Sequence, residues 1–266
     1  MKAIRLSAKI VKTLVRDRMY YPDRLLMDTF IIISRCGVLL LLYWYVFRLN
    51  GGTINGTTFI IVAWSMFFYF AFSTLKLREI AREIMQDVQS GNVEVLFSKP
   101  ISYIFYRMWW QIGSGLYSFT VISLLGSIAL YYLVGVPFTI FLGIFLPTFI
   151  ATIFLGITLS LLIYIVVGLF AFWMEDINPI FWMVDKTVMI LGGSYLPVAL
   201  FPDFMYKLAI YSPFGASQFI THTVYENWQS ASVEKIEIQI VWIIIMAVVT
   251  FFLFKKAKQK ISVNGG

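Results

Sequence analysis

Side chains able to do chemistry are sparse in this chain, and where they stand limits what that chemistry is. Arg35, Asp185 and Lys186 sit inside apolar runs. A lone charge in hydrocarbon is expensive, so each must face protein or water. Asp185 and Lys186 are adjacent, about 100° apart around a helix, and need not pair with each other. They call for partners in another segment or for a place along a water-filled path. Arg35 follows Asp28 on the same helical face, and its long stem lets the guanidinium reach toward an interface. The one histidine, His222, cannot build a histidine cluster and reads as structural or solvent-exposed. The one cysteine, Cys36, excludes an internal disulfide and reads as a packing residue. No set of residues converges on acid–base or nucleophilic catalysis. No glycine-rich loop ends in Gly-Lys-Ser/Thr, so the chain is not expected to bind ATP itself. Neither a catalytic residue, a resident cofactor nor a metal is expected.

The elements that must hold these charges are apolar. Residues 108–174 contain no Asp, Glu, Lys or Arg. A bilayer core is about 30 Å thick and takes roughly 20 helical residues to cross, so that run holds more than one crossing. The chain is 60% hydrophobic and 13% charged, against about 25% charge in soluble domains. Once the apolar runs are removed, nothing remains that could form a water-soluble nucleotide-binding or catalytic domain. The expected fold class is an all-α membrane protein with six transmembrane helices at 29–47, 58–75, 111–134, 141–173, 180–196 and 238–254. Pro147 is expected to break or kink the outer end of the fourth.

Charge gives the expected orientation. Residues 1–28 carry seven Lys/Arg, 76–107 five and 255–266 four, 16 of the 21 in the chain. Basic residues accumulate on the cytoplasmic side, which puts both termini and the 76–107 segment there. The net charge of +7 therefore belongs to a membrane surface rather than to nucleic acid. The organisation reads as an interfacial helix (1–28), spans 1 and 2 (29–75), a cytoplasmic loop (76–110) and spans 3 to 5 (111–200). An external segment (201–237), span 6 (238–254) and a basic cytoplasmic tail (255–266) follow.

Within 1–28, Ile4, Ala8, Val11, Val15 and Met19 line one helical face and Arg5, Lys9, Lys12 and Arg16 another. That pattern suits an amphipathic helix lying on anionic headgroups. The stretch 198–219 is too apolar for a free loop and too interrupted for a crossing. With Gly192, Gly193, Pro197, Pro202 and Pro213 as punctuation, it is expected to form an external re-entrant helical hairpin that shapes or gates an exit.

The 76–107 segment carries helical patterning: Leu77, Ile80 or Ala81, Ile84 and Val88 recur at three- and four-residue spacing. Arg78, Glu79, Arg82, Glu83, Gln86 and Asp87 occupy the other faces. An apolar stripe rimmed by mixed charge suits a partner docking from the cytoplasm. It also suits packing on the protein's own spans. Ser90-Gly91-Asn92 ends that helix, and Val93-Glu94-Val95-Leu96-Phe97-Ser98-Lys99-Pro100 follows.

With its N-terminal helix, six expected spans and this loop, the chain resembles the permease subunits of type-two ABC exporters. The family's loop pattern falls on Gly91, Glu94, Leu96, Ser98 and Pro100, and departs from it at Gln89-Ser90, where an arginine often precedes the glycine. The resemblance implies a translocation path formed with a second permease, identical or a diverged paralogue. Two separate ATP-binding cassette subunits would carry ATP and magnesium. The helix around 78–89 would be the coupling helix, contacting the ATPase through Arg78, Glu79, Arg82, Glu83, Gln86, Asp87, Gly91, Glu94 and Pro100. It also implies a bacterial cytoplasmic membrane, lipid neighbours and amphipathic cargo such as a drug, lipid or peptide. Two other classes remain open at this point: a non-transporting scaffold or immunity subunit, and a membrane-embedded enzyme.

Overall fold

The computed structural model describes residues 2–97, 101–137 and 142–264 and is helical apart from one small hairpin. In order, the elements are α1 (Lys2–Tyr20), α2 (Pro22–Leu49), β1 (Thr53–Ile54), β2 (Thr57–Thr58), α3 (Phe59–Ser73), α4 (Glu79–Gln89), α5 (Asn92–Phe97) and α6 (Tyr103–Val134). Then come α7 (Leu142–Leu169), α8 (Asn178–Leu191), α9 (Asp203–Tyr211), α10 (Pro213–Ala216) and α11 (Trp228–Asn264). Tyr21 separates α1 from α2 because the residue before a proline is pushed out of the helical region. The β1–β2 hairpin turns on Asn55 and Gly56, both at positive φ, as a tight two-residue turn requires.

Four helical stretches among the described residues are long and apolar enough to cross a bilayer: Leu25–Leu49, Tyr103–Val134, Phe145–Phe172 and Trp228–Lys260. The six spans expected from the sequence are thus corrected to four. The stretches read as spans 2 and 5 form α3, of 15 residues, and α8, of 14. At 1.5 Å per residue each is about 21–22 Å long, short of a 30 Å core. Apolar residues beyond the helix ends had lengthened both. Thr74 and Leu75 belong to a turn after α3, and α8 stops where Gly193 adopts a positive φ of 83°.

The external re-entrant hairpin is also overturned. Residues 198–222 form a succession of short pieces: a 3₁₀ turn at Val198–Leu200, α9, α10 and a second 3₁₀ turn at Phe219–His222. Ile210, Ala216 and Phe219 pack on Leu159 and Ile163 of α7. Tyr225 donates from or accepts at its hydroxyl to Ser65 of α3 and accepts from the backbone N–H of Ala199. Pro147 does not end α7, which continues through it.

α3 is apolar on every side, and such a helix belongs in an interior. Its rings interlock with neighbours: Phe68 on Phe149 of α7, and Phe72 edge-on to Phe119 of α6. Near its start Trp64 donates to the Gly135 carbonyl after α6; beyond its end the Lys76 carbonyl accepts from Gln111 early in α6. α3 and α6 are therefore antiparallel. One end of the bundle gathers α4, α5, the starts of α2 and α6, and the later part of α11, where Phe254 meets Phe97 and Tyr103. The amphipathic α1 lies against α6 near Gly113, where a Cβ would come within 2.9 Å of Leu14.

Candidate functional site

The helix expected to receive a partner is built into the bundle as a crosspiece. Its apolar stripe, Ile80, Ala81 and Ile84, is fully buried and turns inward onto α7. Gly168 makes this possible: a Cβ there would lie 3.0 Å from both the Ala81 Cα and the Ile84 Cβ. Gly91, at a φ of 74°, ends the helix and admits the turn into α5.

Charge fastens α4 at two further points. Toward α6, the Arg107 guanidinium forks onto Asp87, donating from Nε to Oδ2 at 2.7 Å and from Nη2 to Oδ1. The Tyr103 hydroxyl donates to the same Oδ2 at 2.7 Å, and Arg107 Nη1 reaches Glu83 at 3.0 Å. Forked arginine–carboxylate pairs are among the stronger and more directional polar contacts, and Asp87 is only 5% exposed. Burial pushes the Glu83 carboxyl above its ordinary value, with Arg107 pulling against that shift. Toward α8, Arg78 donates to Asp185 at 3.2 Å, and the Tyr164 hydroxyl of α7 donates to it at 3.1 Å. Asp185 is 1% exposed. Arg82, 3.2 Å from Glu79, lies 4.2 Å above the Phe181 ring of α8. α4 is thereby joined to α6, α7 and α8 together.

The expected docking residues divide accordingly. Asp87 faces inward and is satisfied within the chain, while Glu83, Arg78, Glu79 and Arg82 are partly covered and share internal partners. Gln86, Gly91 and Glu94 face outward. Gln89, also outward, donates to the Glu175 carbonyl at 2.7 Å. This brings the exposed 173–176 turn, with Trp173, Met174, Glu175 and Asp176, alongside α4. Pro100 lies outside the described residues.

Behind α4 is a cavity of about 250 Å³ among α2, the end of α3, α7 and α8. Asp28 closes one side with Lys76, 2.8 Å away, and accepts from Ser118 at 3.2 Å. Arg78 and Asp185 close another. Arg35 also lines it and is exposed, with no ion-pair or hydrogen-bond partner among the described residues. The helix shared by Asp28 and Arg35 does not pair them; Asp28 takes its cation from Lys76. Lys186 is not part of the Asp185 pair. It is exposed, with its ammonium 5.2 Å from the Trp182 ring.

At the other end, Gly192 caps α8 against Gln218, Pro197 and Pro202 precede short helical turns, and Pro213 opens α10. His222 is buried between the Phe219 and Tyr225 rings. Burial, and then the nearby Lys235 charge, hold its pKa well below the ordinary 6.5, so it stays neutral. Among the described residues no group of three or more His, Cys, Asp or Glu is placed to hold a metal.

Sequence reasoning missed the partners rather than the helix. Arg107, Tyr103, Tyr164 and Lys76 carry the fastening, yet Arg107, Tyr103 and Lys76 lie at segment boundaries where a charge or phenol is unremarkable, and Tyr164 is one phenol within an apolar helix. The one available signal was Arg107, the last charge before the long uncharged run.

A multi-pass helical membrane protein with a crosspiece tied to three bundle helices has the build of a transporter's membrane subunit. Residues 36–265 match the family described as ABC-2 family transporter protein, and the chain belongs to that family. It is a membrane-embedded ABC-type permease subunit. No curated protein matches the chain.

Proposed function

We propose that this chain is the transmembrane subunit of an ATP-driven exporter, moved by two separate ATPase subunits that dock on the outward side of α4 and α5. ATP and magnesium are held by those partners. A second permease, identical or a diverged paralogue, completes the path, and the cargo is amphipathic. The membrane is a bacterial cytoplasmic membrane, with the α4 end of the bundle and both termini facing the cytoplasm. The three basic clusters, 16 of the 21 Lys/Arg, favour that orientation.

One observation carries the reading: α4 is fastened to α6 through Arg107, to α7 at Gly168 and to α8 through Asp185. A helix serving only as a loop needs no such triple attachment. A push on this one reaches three bundle helices at once. The adjoining exposed residues Gln86, Glu94, Trp173 and Met174 supply a mixed polar and apolar contact surface.

The test uses Cys36→Ser as background and Gln86→Cys as the only thiol. In membranes of the native host, a short bifunctional crosslinker should join Gln86→Cys to a nucleotide-binding subunit, and ATP trapping should change the yield. A chain that forms no such adduct, while remaining folded and inserted, contradicts the exporter reading and favours the scaffold.

A further inference from the structure

We propose that the cavity beside α2 receives the anionic phosphate of an amphipathic molecule, with Arg35 as the receiving cation. The inference deepens the exporter reading by naming the charge class of its cargo.

The cavity holds three cations, Arg35, Lys76 and Arg78, against two carboxylates, Asp28 and Asp185. Lys76 is committed to Asp28 at 2.8 Å and Arg78 to Asp185 at 3.2 Å. One positive charge remains, and it is the one with no partner among the described residues. Arg35 lies seven residues beyond Asp28 on α2, about 10 Å deeper along the axis. Within a membrane span a guanidinium without a counter-ion is disfavoured. An entering anion would relieve it, and the planar five-donor fork matches the geometry of a phosphate. Ser160 of α7 lines the same cavity, is 2% exposed, and its hydroxyl has no hydrogen-bond partner.

Size and surroundings separate head from tail. A volume of about 250 Å³ falls below the roughly 300–1,000 Å³ that encloses a drug-sized ligand. It accommodates a headgroup and is too small for a lipid's two acyl chains. Val38 and Leu42, three and seven residues beyond Arg35 on the same face of α2, are exposed and offer an apolar track on which chains can lie. The arrangement draws a headgroup inward while the tails stay in lipid.

The phosphate can come from a lipid or from a soluble ester, and the experiment separates these sources. The full-length chain, purified in neutral detergent without nucleotide, is titrated with phosphatidylglycerol or with the phosphate-free diacylglycerol of the same chains, and bound lipid is counted by native mass spectrometry. Wild type should prefer phosphatidylglycerol by about tenfold, the order expected for one charge-assisted contact. Arg35→Gln should erase the preference, and Arg35→Lys should keep part of it. Competition by inorganic phosphate at equal concentration would identify a site for the phosphate group itself. No competition would identify a lipid site, and either outcome supports the proposal. It is overturned if Arg35→Gln binds as wild type does, or if Lys12→Gln on the basic face of α1 abolishes the preference equally. It is overturned too if Arg35→Gln disrupts a dimer of this chain and leaves lipid uptake untouched. No ATPase takes part in this readout, so its failure leaves the crosslinking result standing, and the reverse holds as well.

Discussion

Arg107 satisfies Asp87 and Glu83 with three of its five donors, while Tyr103 fills the remaining side of Asp87. Removing one member of such a buried set costs more than the set contributes, because the survivors keep their charge and lose their solvation. Arg107→Ala should therefore destabilise the protein by about 3–5 kcal/mol, read as a large fall in thermal midpoint in detergent. The paired change Arg107→Met with Asp87→Leu should restore most of that stability while leaving transport impaired, since the tie between α4 and α6 is gone. If the pair restored transport as well, the fork would be a packing device only. The sequence displayed Asp87 as one charge on an amphipathic face, without saying which side that face would meet. The answer lay 20 residues downstream in Arg107, and local periodicity carries no information about a partner at that distance.

α4 was legible as a helix because its apolar residues recur at helical spacing, and it spans Glu79–Gln89. Which neighbour receives that stripe was not legible, since Gly168 stands among uniformly apolar residues of α7. Only the fold reveals that its missing side chain is the seat for Ala81 and Ile84. Gly168→Leu should lift α4 from α7 at a cost of about 1–3 kcal/mol, typical of overpacking. The measurement is ATP-driven transport in proteoliposomes, which should fall by more than the loss of stability explains. Adding Ile84→Ala makes room for the new side chain and should recover part of the activity. The lengths of α3 and α8 misled for a related reason. Helix and turn are equally apolar here, so composition cannot mark where Thr74 or Gly193 interrupts the backbone.

At the level of the whole molecule, hydropathy identified a multi-pass helical protein, but it counted six full-length crossings where four stretches among the described residues have the length. Of the shorter two, α3 is packed inside the bundle and α8 buries one face through Phe181, Asp185 and Val188, and a window average cannot distinguish a lipid neighbour from a protein one. Sidedness rests on charge instead, and it can be measured. With Cys36→Ser as background, single cysteines at Ser90 and Lys256 should react with an impermeant maleimide only after the inner face is opened. A cysteine at Asp203 should react from outside. Labelling of Ser90→Cys in sealed cells would reverse the orientation.

The lone thiol of Cys36 sits one residue past Arg35 but points the other way, into the packed interior. Electrophiles and peroxides need a solvated thiolate, which a buried sulfur does not offer. The one sulfhydryl is therefore shielded in the folded chain, and a thiol-directed reagent should leave it unlabelled until the protein is unfolded.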